Sequence, residues 1–292
     1  MYNIKILCPA KINLTLDVLS KRDDGYHNVK MVMQAVSLYD EVFLTKTKLK
    51  NISLRCNLPY VPRDARNSAF KAANAFFEFT GVVNEGLFID VYKNIPVAAG
   101  LAGGSTNAAG VIVGLNKLYD TKLSEDKMCE IGLKVGADVP FCIKGGTMLA
   151  GGLGEILTPL SPLPSCFIVI AKPPQGVSTP LVYKNIDLVP INERPDFEGM
   201  NESLINKDLQ GVARRLFNVM EVVSKKLCPE ISVVKDLINS FSPMGIIMSG
   251  SGTAVFGIFS EEKNALECLQ KCSQSYKECH ICEPINFGCK IF

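Results

Sequence analysis

Residues Ile95–Ala109 read I-P-V-A-A-G-L-A-G-G-S-T-N-A-A, and the reading of this stretch decides the fold. Gly100, Gly103 and Gly104 stand immediately before a run in which Ala108, Val111, Ile112, Leu115 and Leu118 recur at helical spacing, so a helix is expected over Ser105–Tyr119. Glycine permits positive φ and lets neighbouring N–H groups converge on one point. A helix start adds unpaired N–H groups and the positive end of its dipole. Ser105 and Thr106 place hydroxyls at its mouth. The stretch therefore describes an anion cradle that contains no lysine. A capped helix at the end of a flexible loop is the competing reading. Neither a G-x-x-x-x-G-K-[ST] loop nor a G-x-G-x-x-G dinucleotide fingerprint is present.

The chain around it has 292 residues, 47% hydrophobic and 21% charged, with a net charge of +2. This is a globular composition long enough for two domains. The near-neutral balance removes the electrostatic case for a nucleic-acid or anionic-membrane partner. Two uncharged runs, Asn94–Asn116 and Leu237–Ser260, are long enough to span a bilayer. The first carries Pro96 and five glycines and the second Pro243, four glycines and five serines, so both read as glycine loops. Met1–Lys5 leads into a strand-like stretch without a basic segment followed by an apolar one, and a cytoplasmic protein is expected. The eleven cysteines are odd in number and scattered through apolar segments, which argues for reduced thiols. Cys279, His280 and Cys282 lack a second well-spaced pair, so no metal site is expected in the tail.

Strands are expected at Ile4–Cys8, Asn13–Val18, within Met31–Leu44, and at Leu87–Tyr92, Cys166–Ala171, Gly245–Ser249 and Ala254–Phe259. Helices are expected at Asn67–Phe79, Ser124–Val135 with Ser124 as N-cap, Ser203–Phe217, Ile231–Phe241 and Glu262–Ser275. The mixture lacks a regular βαβ beat, which makes the class α+β. Pro159, Pro162 and Pro164 mark a crossing between domains, placed at 1–160 and 161–292.

The string P-x-x-x-G-L-x-G-G-S-[ST]-[ND]-A-A resembles the phosphate loop of the superfamily of galactokinase, homoserine kinase, mevalonate kinase and phosphomevalonate kinase (GHMP kinases). Pro9–Leu14 looks like that superfamily's first motif and Ser249–Gly257 like its third, in the same order. P-A-K-I-N-L-x-L from Pro9, D-G-Y-H at Asp24–His27 and G-A-D-V-P-F at Gly136–Phe141 narrow the resemblance to the 4-diphosphocytidyl-2-C-methyl-D-erythritol kinase family. Pro173–Thr179 and Tyr183 also fit it, and the likeness covers essentially the whole chain. One departure is Ala102, where that family often has glycine; a methyl group is harmless there if φ is negative.

The resemblance implies a two-domain fold with a left-handed βαβ unit in the first domain and a ferredoxin-like second domain. It implies ATP as co-substrate, with Mg²⁺, and transfer of the γ-phosphoryl group to a tertiary C2 hydroxyl in non-mevalonate isoprenoid synthesis. A small-alcohol kinase of the mevalonate or homoserine type is the alternative, and a nucleotide-binding regulator without chemistry a further one. Residues carried over for ATP are Pro96, Val97, Ala98, Ala99, Gly100, Leu101, Ala102, Gly103, Gly104, Ser105 and Thr106, with Asn67 and Lys93 near adenine. Asp138 is the expected base and Lys11 its partner. From the residues alone, Asp138 reads equally as the N-cap of a helix beginning at Val139-Pro140, and Lys11 as a surface lysine. Asn13, two residues along the strand, would reach the substrate diol. Tyr26 and Tyr183 would stack on a cytosine, His27 would read its edge, and Thr179 would meet the methylerythritol side. The expected ligands are small molecules, and either a monomer or a homodimer is compatible with the sequence.

Overall fold

The computed structural model describes residues 3–292; of the opening Met1–Lys5 segment, Met1 and Tyr2 lie outside the described residues. The chain opens with two long antiparallel strands, β1 (Ile4–Lys21) and β2 (His27–Lys46). Two separate strands are expected in the first 18 residues, but β1 runs through Pro9 without interruption. Its register against β2 shifts between Pro9 and Ala10, and proline is tolerated at such a bulge because no ladder hydrogen bond is lost there.

β3 (Ile52–Cys56), α1 (Ser68–Thr80) and β4 (Leu87–Tyr92) follow, with β3 and β4 paired in parallel across the helix as a βαβ unit. α2 (Gly103–Leu118), α3 (Glu125–Leu133) and α4 (Val139–Lys144) then pack together, before β5 (Thr147–Gly151) and β6 (Ile156–Pro159). Ser124 caps α3 as expected, its Oγ accepting from the Lys127 N–H at 3.3 Å. Gly110 and Gly114, one turn apart, let α2 lie close on the sheet: a Cβ on Gly110 would stand 2.3 Å from Cys8 Sγ.

After the proline-rich segment come β7 (Phe167–Lys172), α5 (Thr179–Ile186), α6 (Phe197–Ile205), α7 (Leu209–Arg214) and the short β8 (Phe217–Asn218). The single helix expected over Ser203–Phe217 is two, because Lys207 turns into the left-handed region and Asp208 caps a new start, accepting from the Gly211 N–H at 2.9 Å. The chain ends with α8 (Glu221–Leu227), α9 (Glu230–Asn239), β9 (Gly245–Met248), β10 (Val255–Phe259), α10 (Glu262–Ser273), β11 (Glu278–Cys282) and β12 (Lys290–Ile291).

Two sheets organise these elements. The larger follows β12-β1-β2-β4-β3, with β5, β6 and β8 attached, and the smaller is β11-β7-β10-β9, antiparallel throughout. Numbered in chain order within the small sheet this is 4-1-3-2, the ferredoxin-like arrangement that the resemblance implies. β8 and β12 return to pair with β1, so the second half of the chain also contributes to the large sheet.

Ala10, Ile12 and Leu14 are buried in the core shared with the small sheet, which turns Lys11 and Asn13 to the opposite face of β1. Among the described residues no helix is long and apolar enough to cross a membrane. All eleven thiols are free, and no group of three or more His, Cys, Asp or Glu side chains is gathered as metal ligands among the described residues. Burial pushes the thiols of Cys166 and Cys279 up to about 12.

Candidate active site

A cavity of about 1050 Å³ opens where the loop before α2, the β1–β2 hairpin, the start of α4 and helix α5 converge. Its floor at one end is the glycine stretch. φ is positive at every second residue, Ala98, Gly100 and Ala102, which folds successive N–H groups toward one point. The first intrahelical bond of α2 is donated by the Thr106 N–H to Ala102 O at 2.9 Å, so the N–H groups of Gly103, Gly104 and Ser105 precede it; all three residues line the cavity. Ala102 has φ 58°, so the condition attached to the alanine departure is not met: its methyl sits in the left-handed region, at a cost of roughly 1 kcal/mol.

The loop is held by main chain from the opposite half. The Ala254 N–H donates to Ala99 O at 3.2 Å, and Ser249 Oγ donates to Gly100 O at 3.0 Å. A Cβ on Gly100 would lie 2.1 Å from Ser249 O, so the two backbones approach as closely as they do only because residue 100 has no side chain.

Lys93 lines the cavity but is buried and bound from within. Its ammonium pairs with Asp40 and donates to Asn107 Oδ1 at 3.0 Å. Asp40 also accepts from Asn107 Nδ2 and from the Asn94 and Ile95 N–H groups at 2.8, 2.7 and 2.8 Å. Sequence reasoning misses this buried triad, because an aspartate 53 positions before a lysine carries no local signal. Asn67 caps α1, accepting from the Ala69 N–H at 2.9 Å and donating to Pro62 O at 2.7 Å, while still facing the cavity.

Asp138 occupies the position before α4, but its backbone is already helical (φ −79°, ψ −11°) and its carboxylate makes no capping bond. The N-cap reading thus holds for position only, and the half-buried carboxylate faces the cavity. Lys11 is 4% exposed and shares that cavity. Its Nζ donates to Asn13 Oδ1 at 2.6 Å, and no ion pair joins it to Asp138. Asn13 is fully buried, donates to Met31 Sδ at 3.2 Å and does not line the cavity. Its reach is therefore to Lys11 rather than to open space. Thr106 is likewise buried, with its hydroxyl 3.6 Å from Cys289 Sγ, away from the cavity that Ser105 faces.

At the far side, His27 and Tyr183 stack with ring centroids 5.1 Å apart and planes at 24°. Burial, and behind it the negative field of Asp138, pushes the Tyr183 hydroxyl up to about 12, so it is a neutral hydrogen-bond donor at ordinary pH. Tyr26 projects from the hairpin tip and is 65% exposed. Thr179 opens α5 and shares a hydrogen bond with Ser251 at 2.7 Å. Asp187, Lys134 and Lys184 also line the cavity, although none belongs to the motifs quoted above. A signal existed for Asp187: Thr179, Tyr183 and Asp187 follow one another at intervals of four, one face of a helix.

This site and fold define a class. Residues 67–146 match the GHMP kinases N terminal domain and residues 200–278 the GHMP kinases C terminal domain. The chain is 44% identical over 286 residues to the 4-diphosphocytidyl-2-C-methyl-D-erythritol kinase of Clostridium perfringens, covering 97% of this chain and 99% of that one. It is 45% identical over 287 residues to the enzyme of the same name from Caldicellulosiruptor bescii, covering 97% and 100%. A crystal structure of 4-(cytidine 5'-diphospho)-2C-methyl-D-erythritol kinase superposes with a TM-score of 0.81 at 30% identity, covering 96% of this chain and 98% of that chain. The chain belongs to the 4-diphosphocytidyl-2-C-methyl-D-erythritol kinase family of GHMP kinases.

Proposed function

We propose that this chain transfers the γ-phosphoryl group of ATP to the C2 hydroxyl of 4-diphosphocytidyl-2-C-methyl-D-erythritol. The observation that carries this reading is a single cavity holding an unpaired helix start, an uncapped carboxylate at Asp138 and a stacked His27–Tyr183 pair. The first suits a polyphosphate, the second an alcohol and the third an aromatic base. A mevalonate- or homoserine-type kinase would have no base to place against that pair.

Phosphoryl transfer passes through a loose transition state, so alignment and charge stabilisation dominate. In this reading the glycine loop aligns the triphosphate through main-chain N–H groups. Asp138 accepts the proton of the tertiary hydroxyl as its oxygen bonds to phosphorus, and ADP leaves. Lys11, oriented by Asn13, supplies positive charge beside the reacting oxygens. Lys93 acts from beneath: a Cβ on Gly103 would lie 2.8 Å from its Nζ, so the buried triad sets where α2 begins. Tyr26 is suited to close over the base from the hairpin tip, and Thr179 to meet the methylerythritol side.

Mg²⁺ fits the donor set only in part. Asp138 and Asp187 are the carboxylates lining the cavity among the described residues, and Ser105 is the hydroxyl at the helix start. Ser105 would hold the ion together with phosphate oxygens, and the ion would neutralise phosphate charge. The boundary at 160/161 is our placement of the change from the ATP-holding half to the half that carries α5.

The test is a coupled ADP-release assay over a panel of alcohols. Turnover with the diphosphocytidyl substrate should exceed that with mevalonate or homoserine by more than about a hundredfold, as expected when a site built around a base meets a substrate lacking one. Preference for either of the small alcohols would overturn the reading.

A further inference from the structure

We infer that Asp187 is a positioning residue of the base subsite: its carboxylate pins the His27 ring through Nε2–H against Tyr183, leaving Nδ1 as the ring atom offered to the ligand. This rests on the assignment of His27 and Tyr183 to the base made above.

Four observations carry it. First, Asp187 Oδ1 lies 2.8 Å from His27 Nε2, and Oδ2 lies 3.2 Å from Lys21 Nζ, so each carboxylate oxygen has its own partner. Lys21 and His27 are register partners at the open end of β1 and β2, where the hairpin tip begins. One side chain on the far end of α5 therefore ties both hairpin strands to the helix that carries Tyr183.

Second, the His27 side chain is 5% exposed. A ring this deeply buried needs a partner for its N–H, and an ionised carboxylate can only accept. Nε2 must then carry the hydrogen, which leaves Nδ1 as the ring nitrogen turned to other partners. The hydrogen bond from His27, and after it that from Lys21, holds the Asp187 carboxyl below its ordinary range, consistent with an ionised acceptor.

Third, Nδ1 has no hydrogen-bond partner among the described residues, while the ring itself lines the cavity. Nδ1 is not among the buried side-chain atoms left without a partner, so it is the ring nitrogen open to the cavity and to a ligand there. Fourth, the stacking geometry with Tyr183 leaves the ring little freedom once Nε2 is tied. Removing the tie frees rotation about χ2, and both the stack and the direction of Nδ1 are lost.

The experiment compares Asp187→Ala and Asp187→Asn with the unmutated chain. Asp187→Ala should raise KM for the diphosphocytidyl substrate by about tenfold, the scale of one charge-assisted hydrogen bond that orders a binding group. Its kcat and its KM for ATP should stay as they were. Asp187→Asn keeps an oxygen that can accept from Nε2–H and should recover most of the loss. The chain has two histidines, His27 and His280, so imidazole nitrogen NMR on a His280→Gln background reports on His27 alone. It should show the Nε2–H tautomer in the unmutated chain and a mixture in Asp187→Ala. Binding of cytidine diphosphate is measured in parallel. If cytidine diphosphate fails to bind the unmutated chain, the base subsite itself is misassigned. If it binds the unmutated chain and Asp187→Ala equally well, or if Asp187→Ala lowers Tm while leaving the substrate KM unchanged, the positioning role of Asp187 is overturned and the subsite stands.

Discussion

At the glycine-loop end of the cavity the ligand space is lined largely by main chain, joined by the uncharged side chains of Ser105 and Asn67, and the lysine beneath the loop, Lys93, is paired with Asp40. At the α5 end the facing groups are side chains, His27, Tyr183 and Asp187, each positioned by another side chain. Backbone donors carry no net charge and need no ordering of rotamers, but they demand that nothing protrude where two main chains meet. Side-chain subsites tolerate bulk at their margins and fail when a partner is lost. The two ends should therefore break in different ways.

The largest effect lies at neither end but at the carboxylate they share. Asp138→Ala should lower kcat by about a thousandfold, within the range of a positioned general base, while ATP and cytidine diphosphate still bind by calorimetry. Unchanged turnover would remove Asp138 from the reaction and leave two binding ends without a chemical centre.

Lys93→Met tests whether the glycine end depends on its buried triad. It leaves Asp40 fully buried without a cation, and breaking such a pair costs about 3–5 kcal/mol, read as a fall in denaturant midpoint. A wild-type midpoint would mean that Asp40 is held by its backbone donors alone.

Gly100→Ala attacks the backbone contact directly. With a Cβ 2.1 Å from Ser249 O and φ at +78°, the loop or the Ser249 turn must move. The expected cost is about 2–3 kcal/mol of stability together with weaker ATP binding, while affinity for cytidine diphosphate is retained. Equal loss of both ligands would show that the two ends are not separable.

The smallest effect has the opposite sign. Ala102→Gly relieves a methyl from the left-handed region and should raise stability by up to about 1 kcal/mol, offset in part by the greater freedom of glycine in the unfolded chain. A loss of stability, measured by thermal unfolding, would mean that the alanine methyl packs well enough to outweigh its φ.

The two ends also differ in how plainly the sequence displays them. The glycine cradle is a local pattern: residues 96–106 contain both the turn chemistry and the helix that follows, and periodicity places α2 to within two residues of its observed start. The α5 end draws on His27 and Asp187, which lie 160 positions apart and have no common periodicity. Resemblance points to His27 and Tyr183, but not to what orients them. The unbroken β1 and the division of the helix at Lys207 escape for a related reason. Proline reads as a strand breaker until a bulge is seen to accommodate it, and a polar turn inside a helical pattern is ambiguous without its cap.

From composition, glycine spacing and hydrophobic period alone followed the α+β class, the anion cradle at the mouth of α2 and the set of side chains with chemistry to offer. These are properties of neighbours along the chain, where 3.6- and 2-residue repeats and φ preferences act. Only the folded chain decided that Lys93 is spent on Asp40, that Asn13 and Thr106 turn away from the cavity, that the Asp138 carboxylate is free of its helix, and that Asp187 reaches His27. Each is a choice among partners brought together by sheet register and helix packing. A residue's charge and shape are written in its type, but the group it meets is set by tertiary contacts between distant segments.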